Sequence, residues 1–112
     1  MKKVAIIGTG YAGLVSGAGL SDFGNRVICA DILIDKINLL KNGTIPIYEP
    51  GLKELVDKNV DANRLVFTTD VKKAILESEV IFIAVGTPEG DDGKADMTAV
   101  YAVANTIAEN IN

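Results

Sequence analysis

The stretch Val4-Ala5-Ile6-Ile7-Gly8-Thr9-Gly10-Tyr11-Ala12-Gly13 places a GxGxxG motif directly behind a short apolar run. Leu14, Val15 and Ala18 then follow at helical spacing, and Gly24 provides a stop, so the pattern predicts a strand, a tight turn and a helix. Glycines in such a turn let the backbone approach a ligand closely. Because the helix amino terminus adds free N–H groups and a positive dipole end, we expect it to bind a dinucleotide pyrophosphate.

A second apolar run, Val27 to Ala30, ends at Asp31. Asp31 follows Gly8 at roughly the 20 residues expected for an acid that binds the hydroxyls of an adenine ribose. A carboxylate there repels a 2′-phosphate, which favours NAD over NADP. The alternative interpretation is a glycine-rich turn in another α/β protein, with Asp31 simply ending a strand.

Runs of β-forming residues alternate with helical patterns along the chain. Apolar runs of this kind, without strict alternation, are typical of parallel strands that helices cover on both faces. We therefore predict an α/β fold of the Rossmann type, a doubly wound parallel sheet whose first four strands lie in the order 3-2-1-4. The predicted strands are Val4–Ile7, Val27–Ala30, Leu65–Phe67 and Val80–Val85.

Between these strands the apolar residues recur at helical spacing, which predicts further helices that pack on the sheet. Acidic residues in front of two of the stripes are expected to cap them, and a proline suits the first turn of a third. The residues concerned are Leu33, Ile37 and Leu40 in the helix before Gly43, Pro50 at the start of the next, and Asp70 and Asp96 as caps.

The composition is that of an ordinary globular domain, with 112 residues, a net charge of −4 and 48% hydrophobic residues. The acidic balance argues against nucleic acid or an anionic membrane as a partner. The longest apolar run, Val80 to Val85, is too short to span a bilayer, so we expect a cytoplasmic protein. One cysteine and no histidine predict neither a disulfide nor a metal site. Cys29 is expected to be a small core residue, not a nucleophile.

Several segments together carry a resemblance to a known family. They are GTGYAG at Gly8–Gly13, Asp31 with Lys36, NGTIPIYEPGL at Asn42–Leu52, and VGTP with DGKADMTAV between Val85 and Val100. The chain resembles the UDP-glucose/GDP-mannose dehydrogenase family, and the likeness covers its whole length. The YEPGL motif is typical of nucleotide-sugar dehydrogenases, not of Rossmann domains in general.

The resemblance implies NAD as cofactor and a role for each matching position. Ala12 departs from the valine common in that family's loop, which should leave the backbone contacts to phosphate intact. Lys36 has a second interpretation, a surface lysine that pairs with Asp35 or solvent. The implied cofactor-binding residues are Gly8, Gly10, Tyr11, Ala12 and Gly13 at the pyrophosphate, Asp31 and Lys36 at the adenine ribose, and Thr87 near the cofactor.

The family oxidises UDP-glucose to UDP-glucuronate with two NAD⁺, and its siblings oxidise GDP-mannose or UDP-N-acetylmannosamine. By this resemblance residues 1–112 are the amino-terminal part of the NAD(P)-binding Rossmann domain, with the dimerisation and UDP-sugar domains absent. No catalytic residue is expected here, so the chain alone is predicted to be inactive. A stand-alone, non-catalytic nucleotide-binding module is the alternative of another class.

The predicted strand Val80 to Val85 would form an exposed apolar edge of the sheet. Such edges pair readily with other chains. We therefore expect a homo-oligomer that associates through this strand.

Overall fold

A computed structural model of the chain describes residues 2–85 and 97–110. Strands and helices alternate along these residues, and none of the described helices is both long and apolar enough to cross a membrane. The elements are β1 Lys3–Ile7, α1 Tyr11–Asp22, β2 Arg26–Ala30, α2 Ile34–Lys41, α3 Leu52–Asp61, β3 Leu65–Thr68, α4 Val71–Leu76, β4 Val80–Ile83 and α5 Thr98–Asn110.

The four strands form one parallel sheet in the order β3-β2-β1-β4. In the middle of the sheet, Ile6 of β1 lies beside Cys29 of β2 and Phe82 of β4. The predicted doubly wound sheet with strand order 3-2-1-4 is confirmed. Strand order reverses beside β1, and open α/β sheets bind ligands in the crevice outside the carboxyl ends of the strands at such a point.

Alternate residues of β1 and β2 contribute to two separate cores, one on each face of the sheet. On β1, Val4 and Ile6 join the core that packs under α1, α2 and α3, whereas Ala5 and Ile7 join the core under α4 and α5. Burial on both faces explains why this strand is a continuous apolar run.

Two helix starts differ from the prediction. The helix expected to begin at Pro50 begins at Leu52, because Gly51 adopts a φ of 82° and turns the chain after the proline. Leu33 was expected in the apolar stripe of α2, but it is the N-cap residue and is 57% exposed, so only Ile37 and Leu40 are buried there.

The other local predictions have mixed outcomes. The Asp70 side chain caps α4 by accepting a hydrogen bond of 3.0 Å from the backbone N–H of Lys73, as expected. The fourth strand ends at Ile83, two residues before the predicted end at Val85. Asp96, the other predicted cap, lies outside the described residues.

Cys29 is fully buried beneath α1, where Gly17 allows the helix to approach the sheet. A Cβ atom at Gly17 would lie 2.7 Å from the Cys29 sulfur. The absence of a side chain at Gly17 therefore lets α1 pack directly on Cys29 of β2. Burial raises the pKa of the Cys29 thiol to about 12. The thiol is therefore protonated near neutral pH, which confirms the prediction of a core residue.

Candidate functional site

The glycine loop, Gly8 to Gly13, connects the end of β1 to the start of α1. The Gly8 N–H donates to the Ala30 carbonyl at 2.7 Å, which fixes the loop to the end of β2. The first hydrogen bond of the helix runs from the Leu14 N–H to the Gly10 carbonyl at 2.9 Å. Within residues 2–85 and 97–110, the N–H groups of residues 11 to 13 have no acceptor, and with the helix dipole they form a site for an anion.

The three glycines of the motif have different structural roles. Gly8 has a φ of +111°, and a Cβ atom there would lie 2.6 Å from the Ala84 carbonyl oxygen. A Cβ atom at Gly13 would overlap the carbonyl oxygen of Gly8. At Gly10, in contrast, a Cβ atom would meet nothing within 4 Å. Gly8 and Gly13 are thus required by the packing of the protein itself, whereas Gly10 keeps open the space above the free N–H groups.

Asp31 joins the glycine loop to the end of β2. One carboxylate oxygen, Oδ2, accepts hydrogen bonds from the Thr9 N–H at 3.0 Å and the Thr9 hydroxyl at 2.8 Å. The other oxygen, Oδ1, accepts from the Leu33 N–H at 3.0 Å. Oδ1 therefore keeps more acceptor capacity for a ligand than Oδ2. Thr9, which the sequence analysis did not single out, is fully buried and holds the carboxylate in place.

The pKa of Asp31 reflects two opposing effects. Burial alone would raise it, but the hydrogen bonds from Leu33 and Thr9, together with the charge of Lys36, lower the pKa below the usual value of an aspartate. The carboxylate is therefore charged at neutral pH and can accept hydrogen bonds from sugar hydroxyls.

Lys36 lies on the first turns of α2 with its ammonium nitrogen 3.9 Å from Asp31 Oδ2. The pairing with Asp35, the other sequence-based interpretation, is not formed. Lys36 and Asp31 thus stand together beside the glycine loop, with the Lys36 side chain 30% exposed and accessible to a ligand.

Replacing Asp31 by asparagine should make the protein less stable at pH 7 by about 1–3 kcal/mol, because the charged acceptor of the hydrogen bonds from Thr9 and Leu33 is lost. A carboxyl whose pKa is lower in the folded than in the unfolded state contributes stability above its unfolded pKa, about 3.9. That contribution disappears as the pH falls through the folded pKa. Urea denaturation at pH 7 and pH 3 should therefore show a smaller loss of stability on acidification for the variant than for the wild type.

The exposed Asp61 offers a matched control for this experiment, since Asp61→Asn removes the same charge but none of these hydrogen bonds. Equal stability of Asp31→Asn and the wild type at pH 7 would show that the bonds to Thr9 and Leu33 contribute nothing measurable.

The YEPGL motif contacts the glycine loop directly. The Tyr11 hydroxyl donates a hydrogen bond to Glu49 Oε2 at 3.2 Å. The pKa of the Tyr11 phenol is raised mainly by this hydrogen bond and, to a smaller extent, by the negative charge of the Glu49 carboxylate. Tyr48 beside it is 94% exposed. The motif therefore forms part of the rim of the site.

An apolar cavity of about 240 Å³ opens beside the glycine loop. Its walls come from the ends of β1 and β2, from α4 and from α5, with Asp31 and Gly8 on one side. Ile32, directly after Asp31, is 81% exposed at this place. Such a cavity suits a flat apolar group such as a nucleobase. Among its lining residues, those missed by the sequence analysis are Ile32, Val71, Ala102, Val103 and Thr106.

The structure therefore brings together seven of the eight predicted binding residues, the five of the glycine loop with Asp31 and Lys36. Thr87, the eighth, lies outside the described residues. The cavity residues were missed because they are dispersed over the loop after β2 and over α4 and α5, which are far apart in the sequence.

Comparison with known sequences places this site in context. The NAD binding domain of the UDP-glucose/GDP-mannose dehydrogenase family matches residues 2–112. The chain is 58% identical over 112 residues to the UDP-glucose 6-dehydrogenase TuaD of Bacillus subtilis, covering 100% of this chain and 24% of that protein.

Solved structures give the same result for the fold. A UDP-glucose dehydrogenase from Pyrobaculum islandicum aligns with a TM-score of 0.93 and 34% identity, over 98% of this chain and 26% of its own. A GDP-mannose dehydrogenase from Pseudomonas aeruginosa aligns with a TM-score of 0.89 and 42% identity, over 94% of this chain and 24% of its own. The chain thus spans about a quarter of the length of these relatives.

Proposed function

Since the chain belongs to the UDP-glucose/GDP-mannose dehydrogenase family and is its NAD-binding domain, we propose that it holds the adenosine diphosphate half of NAD along the carboxyl edge of the sheet. The observation that carries this proposal is the open space at Gly10, which lies beside free N–H groups and close to a charged aspartate. The pyrophosphate, the ribose and the adenine can then each be assigned to a separate group of residues.

The pyrophosphate would lie over Gly10 and accept hydrogen bonds from the N–H groups of Tyr11, Ala12 and Gly13. These donors point along the axis of α1, so its dipole adds to the attraction. Gly8 and Gly13 support this place indirectly, by allowing α1 and β4 to pack tightly against the loop.

The adenine ribose would bind at Asp31 and Lys36, and the adenine in the apolar cavity. Asp31 Oδ1 accepts one protein hydrogen bond and can accept another from a ribose hydroxyl. Ile32 and Val103 would cover the two sides of the base. Thr87, by resemblance alone, remains a proposed contact near the cofactor.

NAD, when bound, supplies an acceptor for a hydride. The described residues orient its adenosine half, and we assign none of them to catalysis, so we propose that residues 1–112 bind cofactor without oxidising a sugar by themselves. For a longer protein that carries this domain we propose oxidation of UDP-glucose, because the 58% identical relative is a UDP-glucose 6-dehydrogenase. GDP-mannose and UDP-N-acetylmannosamine are the alternative substrates.

Calorimetric titration of the 112-residue chain with NAD⁺ and with ADP-ribose tests this function. Comparable dissociation constants are expected, because the proposed contacts all lie on the adenosine diphosphate half. No NADH absorbance should appear when UDP-glucose is added. Absence of binding at millimolar ADP-ribose would contradict the proposed site.

We also propose a cytoplasmic location, because an NAD-dependent oxidation draws on the cofactor pool inside the cell. Cell fractionation with an antibody to the chain would test this location, and recovery in an extracellular fraction would contradict it.

We further propose that the chain self-associates through β4. This strand pairs with β1 on one side and has no strand neighbour on the other among residues 2–85 and 97–110. Val80, Phe82 and Ile83 are 38%, 46% and 39% exposed. An apolar edge strand of this kind pairs readily with a second copy.

Phe82→Lys should convert such an oligomer to a monomer, since a charged lysine on an edge strand opposes pairing. Sedimentation velocity at increasing concentration would measure this. Phe23→Lys is the matched control, because Phe23 is 90% exposed at the end of α1 and lies away from β4. A wild-type chain that stays monomeric at high concentration would contradict the proposal.

A further inference from the structure

Thr9 lies between the first two glycines of the loop, and its side chain points into the protein. The side chain is fully buried, whereas Tyr11, two residues further on, is 56% exposed. A buried hydroxyl needs a hydrogen-bond partner, because it has lost its bonds to water. The partner is Asp31 Oδ2 at 2.8 Å, and the Thr9 N–H donates to the same oxygen at 3.0 Å. Two donors of one residue therefore converge on a single carboxylate oxygen.

These two bonds fix the Asp31 carboxylate relative to the glycine loop. Asp31 Oδ1 accepts from the N–H of Leu33, but that bond is local, because Leu33 is only two residues further along the chain. It orients the carboxylate within its own turn. Among residues 2–85 and 97–110, the hydrogen bonds between the Asp31 side chain and the glycine loop come from Thr9 alone. The alignment of the carboxylate with the loop therefore depends on Thr9.

The bonds from Thr9 also fill one carboxylate oxygen and leave the other available. A carboxylate offers about four acceptor positions on its two oxygens. Oδ2 uses two of them for Thr9, and Oδ1 uses one for Leu33. The position that remains is on Oδ1. A ribose hydroxyl can therefore bind at Oδ1 without displacing a donor of the protein.

Lys36 is the group that would compete for Oδ2. Its ammonium nitrogen lies 3.9 Å from this oxygen, beyond the roughly 2.7–2.9 Å of a charge-assisted hydrogen bond. Only 30% of the Lys36 side chain and 12% of the Asp31 side chain are exposed, so solvent screens their attraction less than at an open surface. Because Thr9 occupies Oδ2, the lysine stays at the longer distance. Its ammonium donors are then available to a ligand.

We propose, on the basis of the function proposed above, that Thr9 is the positioning residue for the adenine ribose. Its hydroxyl occupies Asp31 Oδ2 and keeps the carboxylate apart from Lys36, so that Oδ1 and the ammonium group can each bind a ribose hydroxyl. Without the Thr9 hydroxyl, Lys36 would pair with Oδ2, and both groups would be withdrawn from the ribose. Thr9 acts through Asp31 and does not touch the ligand with its side chain.

Calorimetric titration of the chain with ADP and with 2′,3′-dideoxy-ADP, which lacks both ribose hydroxyls, tests this role. The wild type should bind ADP at least about tenfold more tightly than the dideoxy compound. In Thr9→Val this ratio should fall by at least about threefold, because valine keeps the shape of threonine but has no hydroxyl. Both ligands carry the same pyrophosphate, so a general weakening of the site cancels in the ratio. An unchanged ratio in Thr9→Val would overturn the proposal.

Thr9→Ser is the matched control. Serine keeps the hydroxyl and loses a buried methyl group, so the variant should melt at a lower temperature than the wild type but keep its ratio of affinities. A merely structural role of Thr9 would weaken both ligands alike in Thr9→Val and Thr9→Ser and would leave both ratios at the wild-type value. A ratio that falls equally in the two variants would also overturn the proposal.

The Asp31→Ala background shows whether Thr9 acts only through the carboxylate. With the carboxylate removed, adding Thr9→Val should change the ratio by less than about twofold. A larger change would overturn the proposed action through Asp31. A wild-type chain that does not bind ADP at millimolar concentration would contradict the NAD site itself, so the two failures are distinguishable.

Discussion

Gly13→Ala should destabilise the protein strongly, with a loss of about 3 kcal/mol or more in the free energy of unfolding. The added methyl group would overlap the carbonyl oxygen of Gly8. The next nearest atoms are the carbonyl carbon of Gly8 and the Cβ atom of Ala84, which are also part of the backbone or attached directly to it. Because backbone on both sides of this contact is held by the sheet and by α1, neither can move away without breaking hydrogen bonds. A domain with a total stability of about 5–15 kcal/mol loses a large part of it.

The same substitution at Gly19 is the matched control. Gly19 lies in the same helix, and a Cβ atom there would meet nothing within 4 Å. Alanine at such a helical position should stabilise the protein by about 0.4–1 kcal/mol, because it restricts the unfolded chain. Thermal unfolding should therefore move in opposite directions for the two variants. A Gly13→Ala variant as stable as the wild type would show that α1 can shift away from the glycine loop.

Gly10→Val should abolish detectable NAD binding while the protein remains folded. A Cβ atom at this position would meet nothing within 4 Å, so the protein has room for it, but the side chain fills the place of the proposed pyrophosphate. Gly10 has an extended φ of −73°, which valine can adopt. The expected cost in stability is about 1 kcal/mol, since valine is a poorer N-cap residue than glycine.

Ala12→Val provides the control within the same loop. Ala12 is exposed on the first turn of α1, and its contact to phosphate would come from the backbone N–H. This variant should therefore bind NAD⁺ about as well as the wild type, as measured by calorimetry alongside Gly10→Val. Wild-type affinity in Gly10→Val would mean that the cofactor does not lie over the glycine loop.

The order of the elements could be predicted from local patterns, and the family from the resemblance of the motifs. The strand at Val4–Ile7, the turn after it and the helix stop at Gly24 each depend on residues close together in the chain. The predicted helix starts were wrong where the conformation of a neighbouring residue outweighed the preference of a single residue. Pro50 suits a helix start, but the turn at Gly51 delays α3 to Leu52, and Leu33 has the spacing of a core residue but precedes the helix.

The sequence indicated seven residues that the structure brings together, but it did not indicate how they are arranged. Asp31 was expected to meet a ribose, whereas its bonds to Thr9 and Leu33 give it a second, structural task. The apolar cavity combines α5 with α4 and with the loop after β2, which are far apart in the chain. No periodicity in a single segment could indicate that combination.

By itself the sequence determined the strand order and the position of the glycine loop, because turn chemistry and apolar periodicity act over a few residues, and its motifs carried the resemblance to the family. Only the tertiary structure decided that Gly8 and Gly13 serve the packing and Gly10 serves the ligand, since this depends on how close Ala84 and the loop backbone approach. It likewise decided that Lys36 stands beside Asp31. These relations arise from distances between separate elements, which are set when the helices pack on the sheet.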